Sequence, residues 1–379
     1  MREKQYDLQK IIEQFNFQGQ FVDATPYGYG HINDTYALNY QKDGKHIRYI
    51  LQRINHEVFK WPEQLMNNIH LVTAHLREKI TACGGDINRQ TLNLLTTSSG
   101  KYYYKSDNGL YWRSFHFIEG ASTYQLVTDP NQFYHVGKAF GCFQRWLQDF
   151  PIDVLHESII AFHDTRKRYN DLENAIEEDA RGRVKAVGAE IEFARNCYQS
   201  MKPIIDGIRE GEVPLRVTHN DTKLNNIMLD DVTGEGICVI DLDTVMPGTV
   251  LSDFGDSIRF GASTALEDEQ DLDLVKVDMD LFEHYTKGFL EEAAEILTPK
   301  EIDYLAVSGK LMAFECGTRF LEDHLRGDTY FKTSRVGHNL DRCRNQFRLY
   351  TDMDNNYEDM VRIINKYRSM PSSQKRHAV

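Results

Sequence analysis

The period of the hydrophobic pattern changes near residue 120, and this change limits the fold more than any other feature of the sequence. Before it, apolar and polar residues alternate in short runs that are typical of strands, over residues 21–29, 35–40 and 46–54. After it, apolar residues recur at helical spacing in longer runs, over residues 130–149, 165–186 and 189–209. We therefore expect a mainly β lobe followed by a mainly α lobe.

The first lobe carries the signals of a small antiparallel sheet with one main helix. Asp43 and Gly44, between the second and third runs, predict a tight hairpin. Pro62 fits the first turn of a helix whose apolar stripe ends before Gly84. Two more strands are expected around the turns at residues 98–100 and 107–109, which completes a five-stranded lobe.

Two acidic motifs lie in the second lobe. The first places a carboxylate at Asp221, a cation at Lys223 and a carboxamide at Asn226. The second places Asp241 at the end of a short apolar strand. Each piece alone is common in turns, but turn chemistry gives no reason for the combination. Phosphoryl transfer needs a base, oxygen ligands for magnesium and positive charge near the phosphate, and these residue types supply all three.

Two-lobed kinases are organised in this order: a β lobe, a short connector and a helical lobe that carries acidic motifs. We therefore predict an α+β, protein-kinase-like fold with a small antiparallel β lobe and a larger, mainly helical lobe. Residues 1–119 would form the nucleotide-binding lobe, and residues 120–379 the catalytic and substrate-binding lobe. The polar tail over residues 370–379 is expected to be disordered.

ATP would lie in the cleft between the lobes, with its adenine against the connector that contains Phe117 and Glu119. The first hairpin contains Gly28 and Gly30, and glycines allow backbone amides to approach phosphate oxygens. His31 and Asn33 belong to the same hairpin and are expected to contribute to the nucleotide site. A two-glycine turn is weak evidence by itself, and its position in the first hairpin strengthens it.

The third strand leaves one question open. Kinases usually carry a phosphate-binding lysine there, but this chain has Gln52 and Arg53. Because strand residues alternate in facing, only one of the two can point into the cleft. Arg53 could replace the lysine, with Glu63 as its partner, or Gln52 could face the phosphates and leave their binding to the glycine hairpin and magnesium.

Three further acidic residues need separate interpretation. Asp253 begins an Asp-Phe-Gly string like the magnesium motif of protein kinases, but Asp241 already takes the metal position. We interpret Asp253 and Asp256 as structural. Asp243 could be a carboxylate that supports a metal ligand, or a further ligand of metal or substrate, and the sequence favours neither.

Composition excludes several classes of protein. The 379 residues carry a formal net charge of −13, which argues against nucleic acid or a membrane surface as partner, since both are anionic. There is no apolar run of membrane-spanning length, and the beginning of the chain is unlike a signal peptide, so we expect a cytoplasmic protein. The six cysteines lack paired spacing and fit reduced thiols.

Taken together, these strings resemble the aminoglycoside phosphotransferase and choline kinase superfamily of small-molecule kinases. Within it, several strings are similar to those of the N-acetylhexosamine 1-kinases, namely residues 26–28, 30–33, 216–226, 254–263, 315–317, 319–321, 327–328 and 330–331. The resemblance spans roughly residues 20–345. It implies ATP- and Mg²⁺-dependent phosphorylation of the anomeric hydroxyl of GlcNAc or GalNAc.

The resemblance also implies roles for individual residues. Asp221 matches the catalytic base that orients the sugar hydroxyl, and Lys223 would lie near the γ-phosphate. Asn226 and Asp241 match the magnesium ligands. Arg319 and Tyr330 match sugar-binding positions, although Arg319 could instead pair with Glu315 four residues earlier. The resemblance also favours Gln52 over Arg53 at the position of the phosphate-binding kinase lysine.

Two other functions remain open at this stage. The chain could phosphorylate another small alcohol, such as choline, homoserine or an aminoglycoside. Those substrates carry positive charge and should need an acid-lined site, whereas a sugar needs neutral and bidentate groups. A nucleotide-binding pseudokinase would be expected to lack Asp221 or Asp241, and both are present. The oligomeric state is not predicted.

Overall fold

The computed structural model describes residues 6–28, 30 and 32–369. Within them the chain forms an α+β fold with a five-stranded antiparallel sheet, two small sheets and a helical lobe. The strands are β1 (Gln20–Pro26), β2 (Asp34–Lys42), β3 (Lys45–Ile54), β4 (Tyr104–Lys105), β5 (Tyr111–His116), β6 (Ala121–Ser122), β7 (Arg216–Thr218), β8 (Ile227–Asp230), β9 (Gly236–Val239) and β10 (Met246–Gly248). His31 and residues 370–379 lie outside the described residues, so the predictions made for them stay untested.

The larger sheet has the strand order β1-β2-β3-β5-β4. Asp43 and Gly44 both adopt positive φ, at 51° and 74°, as a two-residue turn with a twist that matches the strands requires. This confirms the predicted hairpin. The turn fixes the register of β2 against β3, which places Thr35 opposite Gln52.

The helices are α1 (Leu8–Ile12), α2 (Pro62–Ala82), α3 (Pro130–Trp146), α4 (Thr165–Glu178), α5 (Gly188–Arg209), α6 (Val250–Gly261), α7 (Met279–Ala293), α8 (Pro299–Arg326), α9 (His338–Asn355) and α10 (Tyr357–Tyr367). Helix α4 is shorter than the predicted run, because Asp179 turns into the left-handed region at φ 35°. Among the described residues, no helix combines the length and apolar character that crossing a bilayer requires.

Helices α1 and α2 cover opposite faces of the large sheet. The apolar stripe of α2, which includes Leu65, Ile69 and Leu76, packs with Ile54 of β3. On the other face, α1 packs with Leu51 of β3. The short helix α1 was not predicted, because five residues are too few to show a helical period. Consecutive residues of β3 therefore face two different environments.

Helix α8 is the centre of the second lobe. Its N-terminus is closed by a capping box, in which Thr298 and Glu301 satisfy each other's backbone amides. Along its length it joins two apolar cores, one shared with α6 and α7 and the other with α4, α5 and α9. It thus supports the loops that follow β7 and β9.

The two small sheets hold those loops in place. Strand β7 pairs with β10, and β8 pairs with both β6 and β9. The loop between β7 and β8 contains Asp221, and the loop after β9 contains Asp241. The backbone amide of Ile240 donates to the carbonyl of Asn226 at 2.9 Å, so the two acidic motifs lie side by side. The lobe boundary that we place at residue 119 stays a prediction.

Candidate active site

The loop between β7 and β8 is anchored by a buried carboxylate from α6. Asp253 accepts the backbone amides of His219 at 2.9 Å and Asn220 at 2.7 Å, and its carbonyl accepts the Thr222 hydroxyl. Asn220 has φ 63°, a strained value that these bonds fix in place. Asp253 therefore has the structural role that we expected for it.

Asp221 lies on this loop between two positively polarised groups. Lys223 Nζ is 2.8 Å from one carboxylate oxygen, and the amide of Asn226 donates to the other at 3.2 Å. Burial raises the pKa of Asp221, but Lys223 and Asn226 outweigh it and hold the pKa below its usual value. In turn Asp221 raises the pKa of Lys223. Both groups are therefore charged near neutral pH, as an acceptor of protons and a phosphate-binding cation must be.

Asp241 follows β9 in the left-handed conformation, at φ 58°. Burial, together with the carboxylates of Asp243 and Asp221, raises the pKa of Asp241 to about 6. Among the described residues it forms no ion pair. This surplus of negative charge is an observation that favours a cation at this position.

The donor set fits Mg²⁺. Asn226 uses its amide nitrogen on Asp221, so its oxygen is available as a hard ligand beside the Asp241 carboxylate. In the part of the chain that the structure describes, no group of three or more His, Cys, Asp and Glu residues is placed to hold a metal. A site of one carboxylate and one amide matches the way Mg²⁺ is held when phosphates and water supply its remaining ligands.

Asp243 is buried and its two oxygens are both occupied. Oδ1 accepts from the guanidinium of Arg113 on β5, and Oδ2 accepts from the Asn33 amide at 2.7 Å. Arg113 also donates to Gln52 Oε1 at 3.0 Å. Two of the expected nucleotide-site residues are thus linked to Asp243, Asn33 directly and Gln52 through Arg113.

The structure shows which side chain of β3 faces this cluster. Gln52 lies on the side of Arg113 and Asp243, whereas Arg53 points to the opposite face and pairs with Asp34 at 2.5 Å. Arg53 therefore does not replace the kinase lysine. The suggested pairing of Arg53 with Glu63 is wrong, because Glu63 accepts from the Tyr111 hydroxyl instead. Whether Gln52 contacts phosphate stays a prediction.

The glycine hairpin and the connector lie next to each other. Gly28 has φ 79°, which favours glycine, and a Cβ at either Gly28 or Gly30 would meet no atom within 4 Å among the described residues beyond its chain neighbours. The Tyr27 ring packs edge-on against Phe117, with 5.5 Å between the ring centroids. At these two glycines the described residues leave the room that a ligand would need to approach the backbone closely.

The connector is tied to both lobes. Glu119 pairs with Arg48 of β3, whose guanidinium also covers the Phe117 ring at 3.7 Å. Arg89 donates to the carbonyls of Glu119 and Gly120 and to Asp230 of β8. The Glu119 carbonyl is therefore engaged within the protein, and reading of a base by this connector would depend on its other backbone groups.

Arg319 does not pair with Glu315. The Glu315 carboxylate is taken by His163 Nδ1 and the Thr165 hydroxyl, both at 2.7 Å. The Arg319 guanidinium instead lies over three rings, at 5.2 Å from Phe162, 6.0 Å from Tyr330 and 5.4 Å from Phe331. Tyr330 is exposed, in a loop whose backbone amides donate to the buried carboxylate of Asp323.

The Arg319 region is connected to the loop between β7 and β8 that contains Asp221, which we call the catalytic loop. His163, next to Phe162, uses its Nε2 to contact the carbonyl of Asn220 at 3.0 Å, one residue before Asp221. Sequence reasoning missed His163 and Arg113. The only signal for Arg113 is a charged residue inside the apolar run of β5, and His163 lies outside every motif.

Comparison with known proteins is consistent with this geometry. The model of the phosphotransferase enzyme family (APH) matches residues 23–282. An aminoglycoside phosphotransferase from Alicyclobacillus acidocaldarius is similar over 96% of this chain and 98% of that one, with a TM-score of 0.58 and 11% identity. A choline kinase from Cryptosporidium parvum covers 91% and 92%, with a TM-score of 0.54 and 12% identity.

A third solved structure, an ethanolamine kinase from Plasmodium vivax, covers 86% of this chain and 81% of that one, with a TM-score of 0.53 and 14% identity. At such low identities these likenesses show the fold and not the substrate. They confirm the predicted α+β, kinase-like fold with its antiparallel sheet and helical lobe.

Proposed function

Because the chain belongs to the phosphotransferase enzyme family, we propose that it is an ATP- and Mg²⁺-dependent kinase of N-acetylhexosamines. It would transfer the γ-phosphoryl group to the 1-hydroxyl of GlcNAc or GalNAc. The observation that carries phosphoryl transfer is the arrangement of Asp221 between Lys223 and Asn226, beside Asp241.

Each residue of this arrangement has a distinct part in the proposed reaction. Asp221, held ionised by its neighbours, accepts or orients the proton of the attacking hydroxyl. Lys223 offers a fixed positive charge as negative charge shifts among the phosphate oxygens. Asn226 and Asp241 would hold Mg²⁺, which when bound neutralises the phosphate charge.

The surroundings of Arg319 favour a neutral acceptor over a cationic one. Its guanidinium lies among the rings of Phe162, Tyr330 and Phe331, and the nearest carboxylate in sequence, Glu315, is engaged by His163 and Thr165. A positive charge placed there repels choline or an aminoglycoside amine. Hydroxyl and acetamide oxygens, by contrast, can accept hydrogen bonds from it.

A substrate panel tests this proposal. The purified protein is incubated with Mg²⁺, ATP and one acceptor at a time, and ADP release is measured for GlcNAc, GalNAc, glucose, galactose, choline and homoserine. We expect turnover with the two N-acetylated sugars and a product that carries phosphate at C1 by ³¹P NMR. Turnover confined to choline or homoserine would overturn the choice of acceptor and retain the kinase.

Asp221→Asn is the matched control for that assay. The change keeps the shape of the side chain and removes the proton acceptor, so we expect turnover to fall by about 10²–10⁴-fold. ATP binding should persist, because Asn226 and Asp241 are unchanged. Wild-type turnover in this variant would remove Asp221 from the role of base.

A further inference from the structure

At the position where kinases carry a lysine, β3 has the neutral Gln52, and a positive charge next to it comes from the neighbouring strand. Arg113 of β5 lies directly opposite Gln52 of β3 in the sheet register. Its Nε donates to Gln52 at 3.0 Å, and its Nη1 donates to Asp243. Only 2% of the Arg113 side chain and 4% of the Asp243 side chain are exposed, so this ion pair is withdrawn from water.

Asp243 connects this pair to the glycine hairpin. Its second oxygen accepts from Asn33 at 2.7 Å, and the Asn33 oxygen accepts the backbone amide of Asn55 at 3.0 Å. Gln52 is itself fixed by donation to the Thr35 hydroxyl. A single buried carboxylate, two residues after Asp241, therefore receives contacts from the hairpin and from β5 of the other lobe.

Charges around the proposed magnesium position are nearly balanced. Three carboxylates lie close together, at Asp221, Asp241 and Asp243. Lys223 pairs with the first and Arg113 with the third, which leaves the charge of Asp241 for a bound cation. Because charges in a buried site interact through a low effective dielectric, removing either partner of the Arg113 pair changes the field at Asp241.

We propose that Arg113 is a positioning residue that holds Asp243 and the glycine hairpin in place and, together with Asp243, sets the electrostatic field at the proposed magnesium site. This rests on the proposed kinase function and adds a residue to it. Arg113 would act through Asp243, and not by contacting phosphate in place of the kinase lysine.

The proposal predicts opposite effects of two substitutions on magnesium dependence. In Asp243→Asn the Arg113 charge is uncompensated and repels the metal, so the Mg²⁺ concentration for half-maximal ATP binding should rise at least about fivefold. In Arg113→Gln the Asp243 charge is uncompensated, and that concentration should fall. The double variant restores the charge balance and should return toward wild type.

The measurement is equilibrium binding of ATP by calorimetry over a series of Mg²⁺ concentrations, with no acceptor present. Thermal unfolding of each variant is recorded beside it, and Arg113→Lys replaces Arg113→Gln if the latter does not fold. With lysine the charge stays while the forked contacts to Gln52 and Asp243 are disrupted. For this substitution we expect magnesium dependence near wild type and weaker ATP binding.

Arg53 and Asp34 provide matched controls, because they form a second arginine–aspartate pair on the opposite face of the same sheet, with Arg53 buried and Asp34 partly exposed. Asp34→Asn and Arg53→Gln should lower thermal stability and leave magnesium dependence unchanged. If Asp243→Asn and Arg113→Gln shift magnesium dependence in the same direction, or not at all, the proposed role is wrong although the kinase function stands. If the wild-type protein shows no Mg²⁺-dependent ATP binding, the function itself fails.

Discussion

At the scale of residues, the hydrogen-bond partners of a carboxylate determine whether its role is structural or chemical. Asp253 begins an Asp-Phe-Gly string, yet both of its oxygens accept backbone amides of the catalytic loop. Asp221 instead keeps its oxygens on Lys223 and Asn226, at a site that is partly open. The sequence predicted Asp221 and Asp241 from their spacing. It could not predict the partners of Asp243, because Asn33 and Arg113 approach it only when distant segments pack together.

The buried pair of His163 and Glu315 gives a prediction about pH. Burial lowers the pKa of His163, but Glu315 outweighs it and raises the pKa above its ordinary value of about 6.5. The native state therefore binds this proton more tightly than the unfolded state, and the stabilisation is complete below about pH 6.5 and lost as pH rises through the native pKa. We expect the stability advantage of wild type over His163→Gln to shrink from pH 6 to pH 9.

Urea unfolding of both proteins across this pH range measures the effect. His70→Gln is the control, because burial lowers the pKa of His70, and its advantage should grow as pH rises. Equal slopes for the two substitutions would show that the His163 pair does not hold its proton in the folded protein.

At the scale of elements, the hydrophobic periodicity predicted the strands and helices that are long and regular. The strands β1, β2 and β3, the helix α2 and the start of the helical lobe all follow from apolar spacing and from turn residues. Strands β4 and β6 have only two residues each, and their pairing is set by neighbouring strands rather than by their own pattern. The face to which Gln52 points also depended on the packing of α1 and α2.

Helices α3 and α7 pack close together at glycine, and this contact should not tolerate a side chain. A Cβ at Gly288 would lie 2.1 Å from the carbonyl oxygen of Tyr134 and 2.8 Å from the amide nitrogen of Lys138. Because both neighbours are backbone atoms, the helices would have to separate. We expect Gly288→Ala to lower the free energy of unfolding by about 1–3 kcal/mol.

Gly188→Ala is the comparison for that measurement. Gly188 is also helical, and a Cβ there would meet nothing within 4 Å in the part of the chain that the structure describes, so alanine should be neutral or stabilising. Both free energies come from urea unfolding followed by circular dichroism. A Gly288→Ala protein as stable as Gly188→Ala would mean that the two helices can move apart at little cost.

At the scale of the whole molecule, the site is assembled from segments that are far apart in the chain. Asn33, Arg113 and Asp243 come from the hairpin, from β5 and from the loop after β9. The two-lobed fold could be predicted from the order of elements, because each lobe has its own period. The contacts between lobes could not, since they depend on registers that no single segment encodes.

This arrangement predicts that nucleotide stabilises the entire fold only together with magnesium. Under the proposed function ATP would contact both lobes and bind the native state, so ATP at a hundredfold excess over its Kd adds about 2.7 kcal/mol of stability. We expect a thermal unfolding midpoint several degrees higher with ATP and Mg²⁺ than with ATP and EDTA.

Asp241→Ala should lose this difference, because it removes the carboxylate that carries the surplus charge. Asp107 is an exposed carboxylate paired with Lys10, and Asp107→Ala should retain the difference between Mg²⁺ and EDTA. An equal midpoint with Mg²⁺ and with EDTA in the wild-type protein would contradict magnesium-dependent binding between the lobes.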